Sequence, residues 1–65
     1  MDFTVITEKR NALGMSVAEL CRKAGLSRKT YYKLANDPEH GYFSTISKLV
    51  NVLALTDEEK IRLLT

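Results

Sequence analysis

Residues 16 to 36 read SVAELCRKAGLSRKTYYKLAN. Two short helical patterns meet across Ala24-Gly25-Leu26, and each opens on a serine able to cap it, Ser16 for the first and Ser27 for the second. Ser16 and Glu19 have the capping-box spacing, in which each side chain satisfies the other's free backbone amide. Val17, Leu20, Cys21 and Ala24 give the first helix an apolar face, and Gly25 supplies the permissive backbone for leaving it. In the second helix Leu26 is placed to fold back on Tyr31 as a hydrophobic staple, so Tyr31 and Leu34 point inward. A two-helix unit with so tight a corner predicts a helix-turn-helix, a motif whose second helix can enter the major groove of DNA.

With Tyr31 and Leu34 inward, Arg28, Lys29, Tyr32 and Lys33 are left on the opposite surface. Cations near a helix N-terminus oppose the helix dipole, which favours anions at that end. A polyanion lying there would remove the cost, because backbone amides and cationic side chains would face phosphate together. A solvated basic face is the plainer alternative. The charge distribution leans toward the first reading: residues 1 to 36 hold seven Lys or Arg against three Asp or Glu, and residues 37 to 65 hold three against five. Five basic residues and no acid lie between Leu20 and Asn36.

Outward from this unit the chain reads as three supporting helices. Residues 2 to 13 carry Phe3, Ile6, Arg10 and Leu13 at steps of three and four, with Phe3, Ile6 and Leu13 expected in the core and Gly14 as the stop. Asn36-Asp37-Pro38 ends the third helix, since proline disfavours helical geometry at the residue before it. A loop to about Gly41 follows. Phe43, Ile46, Leu49, Val50 and Leu53 then step along a fourth helix, mostly core, with either Tyr42 or Ser44 as its cap. Thr56 and Glu59 form a second capping box, opening a short fifth helix on which Ile61 and Leu64 are expected inward and Leu63 exposed. The expectation is an all-α, compact five-helix fold forming one domain over residues 1–65, without strands, repeats or linkers.

Composition narrows the function. Forty-five per cent hydrophobic and 28% charged residues are ordinary for a soluble globular chain. No apolar run approaches the roughly 20 residues that span a bilayer, and the N-terminus lacks the order of a signal peptide, so the default location is cytoplasmic. One cysteine, Cys21, and one histidine, His40, have no zinc spacing, so neither a metal nor another cofactor is expected. No nucleophile-base spacing and no phosphate-cradling glycine loop point to an enzyme. Cys21 reads as a small packing residue.

Helix one ending in Arg10-x-x-x-Gly14-x-Ser16, then Gly25-Leu26-Ser27-Arg28, a third helix closing at Asn36 and an amphipathic fourth helix make the chain similar to the lambda-repressor-like helix-turn-helix family, the phage repressor and Cro type. The resemblance covers nearly the whole sequence. It implies that Arg28, Lys29 and Tyr32 face base edges, and that Lys33, Asn36 and residues near Ser44 meet the sugar-phosphate backbone. Backbone positions at the helix starts, Ser16 and Val17, Ser27, and Ser44 and Thr45, complete the expected phosphate contacts. The sequence departs from the family pattern in two places. Val17 stands where relatives often carry a phosphate-touching glutamine, and Ala35 where they often carry a glutamate that pairs with the helix-one arginine. Arg10 is therefore left to a carboxylate such as Glu39, or to solvent.

Double-stranded DNA, in the form of a symmetric operator, is the expected partner of a bacterial or phage-encoded, nucleoid-associated repressor with no small-molecule ligand. A homodimer is expected, formed in solution or only on DNA, with the fifth helix as a candidate contact. The competing reading is a protein-binding module on the same scaffold, such as an antirepressor or antitoxin-like partner, since fold alone does not define function.

Overall fold

The computed structural model describes residues 1–40 and 43–65, and among them every regular element is helical. Five α-helices follow in order, α1 Thr4–Ala12, α2 Val17–Ala24, α3 Arg28–Asn36, α4 Phe43–Leu53 and α5 Asp57–Leu64, with a 3-10 turn at Pro38–His40 leading out of α3. The expected end of the loop at Gly41 and the expected cap at Tyr42 lie outside the described residues, whereas Ser44 sits within the first turn of α4.

Local chemistry explains most of these boundaries. The Asp2 carboxylate accepts hydrogen bonds from the hydroxyl and the amide of Thr4 at the start of α1, and those bonds hold its pKa below the ordinary value. At the other end Gly14 adopts φ 68°, where L side chains are disfavoured. This lets the Met15 amide reach back to the Arg10 carbonyl at 3.0 Å. Gly25, at φ 71°, ends α2 in the same manner, with the Leu26 amide on the Cys21 carbonyl at 2.8 Å. Ser16 Oγ accepts from the Glu19 amide, and Ser27 Oγ from the Thr30 amide, each at 3.1 Å.

One of the two expected capping boxes is complete. Thr56 Oγ1 accepts from the Glu59 amide while Glu59 Oε1 accepts from the Thr56 amide. At Ser16 only the first half forms, because the Glu19 carboxylate is turned toward Lys23 Nζ, 3.6 Å away.

The core is shared by all five helices. Leu20, Leu49 and Leu53 have no exposure, and Val5, Ile6, Cys21, Tyr31, Leu34, Ile46, Leu55 and Leu63 are buried around them. Helix α4 packs across α1 and α2, α5 lies on α1, and α2 holds α3. The Phe3 ring meets Tyr31 edge-on at 5.5 Å, so the start of α1 packs directly beneath α3.

Three expectations about the core are corrected. Leu13 is 52% exposed, because α1 ends at Ala12 and Leu13 is already its C-cap; Val5 takes the core position instead. Phe43 is 78% exposed, for it begins α4 at the rim of a groove between α4 and α5 and has no helix above it. In α5 the expected faces are reversed: Leu63 is buried, and Ile61 and Leu64 are exposed. Contacts on the α1 side accompany this phase: the Glu59 carboxylate caps Thr56 and meets Lys9 Nζ of α1 at 3.1 Å, and the Leu63 carbonyl accepts from the Asp2 amide at 2.9 Å, so the face shared by Glu59 and Leu63, four residues apart, lies against α1.

Candidate nucleic-acid interface

Helix α3 is held from below by Tyr31 and Leu34, both buried, and by the partly buried Ala35. At about 100° per residue, Arg28, Lys29, Tyr32, Lys33 and Asn36 fall within an arc of about 140° on the other side. All five are exposed. Tyr32 keeps half its surface in solvent while its ring packs edge-on against Tyr31 at 5.6 Å. The ring is thereby steadied on the outer face without being withdrawn from it.

The electrostatics separate this face from the rest of the molecule. Lys9 pairs with Glu59, Lys60 approaches Asp57 and Arg62 pairs with Glu8, so the cations of α1 and α5 are largely matched. On α2, Lys23 lies near Glu19. Arg22, Arg28, Lys29 and Lys33 have no carboxylate within salt-bridge distance among the described residues. The first turn of α3 contains no acid, so Arg28 and Lys29 stand uncompensated at the positive end of its dipole.

The positions expected to meet phosphate differ in what they offer. Ser16 and Ser27 are exposed, but each hydroxyl already accepts a capping bond, and Ser27 also bonds Thr30 Oγ1 at 2.9 Å. Val17 packs partly against the core, so only its backbone amide is available. Ser44 is exposed, whereas Thr45 is buried, which commits the Thr45 side chain to the interior and leaves only its first-turn amide. Lys48, one turn beyond Ser44 on α4, is exposed and also lacks a carboxylate partner among the described residues. It is not among the residues expected from sequence, although its spacing of four from Ser44 carries the signal.

Two interior groups border the site. Cys21 is buried, and burial pushes its thiol pKa up while the nearby Arg28 charge acts in the opposite direction. Arg10 does not pair with Glu39; it is partly buried, and its Nη1 donates to the Met15 carbonyl at 2.7 Å. Glu39 is occupied by the Met1 amino group at 2.6 Å. The absence of a glutamate at Ala35 is thus met by a backbone oxygen.

Among the described residues no group of three or more His, Cys, Asp or Glu side chains could hold a metal, and no helix is long and apolar enough to cross a membrane. A capped two-helix corner presenting an unneutralised cationic helix defines a helix-turn-helix protein. A family model described as the Cro/C1-type HTH DNA-binding domain matches residues 6–59, and the chain belongs to that family. The likeness to lambda-repressor-type domains is therefore one of membership, and the domain is a DNA-binding one. Comparison with curated proteins and with solved structures gave no match.

Proposed function

We propose that the domain binds double-stranded DNA sequence-specifically as a transcriptional repressor of the phage or mobile-element type, with α3 in the major groove. The observation that carries this reading is the exposed face of α3. Its cations have no described carboxylate partner, and they share one strip with a half-exposed tyrosine.

Each residue has a role suited to its chemistry. Arg28 donates two hydrogen bonds to guanine O6 and N7, a contact worth about 1 to 3 kcal/mol of discrimination. Lys29 reads an adjacent base edge or settles on phosphate. Tyr32 offers its ring to a thymine methyl and its hydroxyl to a base edge or phosphate. Lys33, at the far edge of the strip, and Asn36, in the last turn of α3, meet the backbone. Amides at the starts of α2 and α4, from Ser16, Val17, Ser44 and Thr45, together with Ser27, clamp phosphates on either side and set the register.

A single nine-residue reading helix covers few bases, so useful specificity calls for two copies on half-sites about 34 to 36 Å apart. We assign the dimer contact to the face where Phe43, Ile61 and Leu64 are exposed, beside the groove between α4 and α5. An operator with two-fold symmetry follows from such a pair.

Selection of bound sites from random duplex DNA tests the proposal. Enrichment of a symmetric motif is the expected outcome. Binding without enrichment would reduce the function to nonspecific DNA association, and no binding at low salt would favour a protein partner for the basic face.

A further inference from the structure

Arg10 is a partly buried cation near the end of α1 that two hydrogen bonds join to Met15. Its Nη1 donates to the Met15 carbonyl at 2.7 Å, and its own carbonyl accepts the Met15 amide at 3.0 Å. Its Nε is buried and has no acceptor among the described residues. Both backbone polar groups of residue 15 are therefore tied to residue 10, immediately before the cap of α2.

The consequence lies in the next peptide unit. In a trans peptide the carbonyl and the following N–H point in opposite directions, and no described peptide bond is cis. Fastening the Met15 oxygen to α1 turns the Ser16 N–H away from α1. A complete capping box would have consumed that donor, but the Glu19 carboxylate is at Lys23 instead. The amides of Ser16, Val17 and Ala18 have no acceptor among the described residues, while that of Glu19 is taken by Ser16 Oγ. A bond from a cationic donor is short and strong, and it polarises the peptide it touches, which makes the Ser16 N–H a better donor.

We propose that Arg10 is a positioning residue for DNA: by anchoring the Met15 carbonyl it aims the Ser16 N–H, alongside those of Val17 and Ala18, at one backbone phosphate. This rests on the reading that the start of α2 meets phosphate. Arg10 acts through geometry and makes no contact with DNA itself.

The test uses the whole chain and a duplex of random sequence. In the unaltered protein, titration followed by amide NMR signals should shift Ser16 together with the amides of α3. Arg10→Met keeps an unbranched side chain and removes the donor. The folded variant should still show the α3 shifts and lose the Ser16 shift. A folded Arg10→Met whose Ser16 amide still shifts with DNA would overturn the proposal. Should that variant fail to fold, the titration of the unaltered protein decides: a Ser16 amide that stays still while α3 signals move also overturns it. If no signal moves at all, the DNA-binding reading itself falls, which is a different result.

Discussion

Arg28 and Lys33 are both exposed cations of α3, yet under the proposed function their positions on the strip give them different work. Removal of a base-reading side chain should weaken a selected site far more than random DNA. We expect Arg28→Ala to cost about 1 to 3 kcal/mol on the selected site, roughly 5- to 150-fold, with little change on random duplex. Lys33→Ala should instead weaken both evenly and lower the salt slope by about one unit. Equal losses for Arg28→Ala, or an unchanged slope for Lys33→Ala, would reassign the two, and titrations at several salt concentrations distinguish these outcomes. A stability prediction belongs at the same scale. Ala54 ends α4 at φ 51°, a left-handed conformation that costs an L residue about 1 to 2 kcal/mol. Ala54→Gly should therefore raise the unfolding free energy by about 1 kcal/mol in denaturant titration, and a loss of stability would show that the strain is absent.

Helix α5 depends on its cap more than on its intrinsic helix preference, since eight residues are too few to hold a helix alone. Thr56→Ala should cost about 1 kcal/mol in the same denaturant titration. The Thr56 amide, followed by Lys9, holds the Glu59 carboxyl below its ordinary value of 4.5. A carboxylate with a lowered folded-state pKa stabilises the fold fully above the ordinary value, and that contribution is lost as the pH falls through the lowered one. Melting temperature should decline below about pH 4.5, and Glu59→Gln, which can still cap but cannot titrate, should remove Glu59's share of the decline. An identical acid profile in the variant would exclude Glu59 as a contributor.

Across the molecule, the two leucines near the end of α5 should respond in opposite ways. Leu63 is buried against the shared core, so Leu63→Ala should destabilise the chain by about 2 to 5 kcal/mol. Leu64 is 62% exposed beside the groove, so Leu64→Asp should leave monomer stability within about 0.5 kcal/mol. It should also abolish pairing of copies, as read by sedimentation with and without operator DNA. A dimer that survives Leu64→Asp would move the contact to another face.

Much of the fold was legible in local spacing. Ser16, Ser27 and Thr56 as caps, Gly14 and Gly25 as stops, and the inward and outward sides of α3 are set by bonds spanning three to five residues, which a sequence displays directly. The candidate face was legible to the same extent, because burying Tyr31 and Leu34 leaves Arg28, Lys29, Tyr32 and Lys33 nowhere but outside. The ends of helices and the partners of long side chains belonged to the tertiary structure. A long amphipathic stripe announces its inward face, but in α5 Ile61, Leu63 and Leu64 crowd a helix of two turns, and only its packing on α1, with the Lys9–Glu59 and Asp2–Leu63 contacts, selects which faces inward. Phe43 and Leu13 lie on apolar stripes that outrun the helices packed against them. Arg10 meets the Met15 carbonyl because Gly14 folds that oxygen back within reach, a consequence of chain path that spacing alone does not carry.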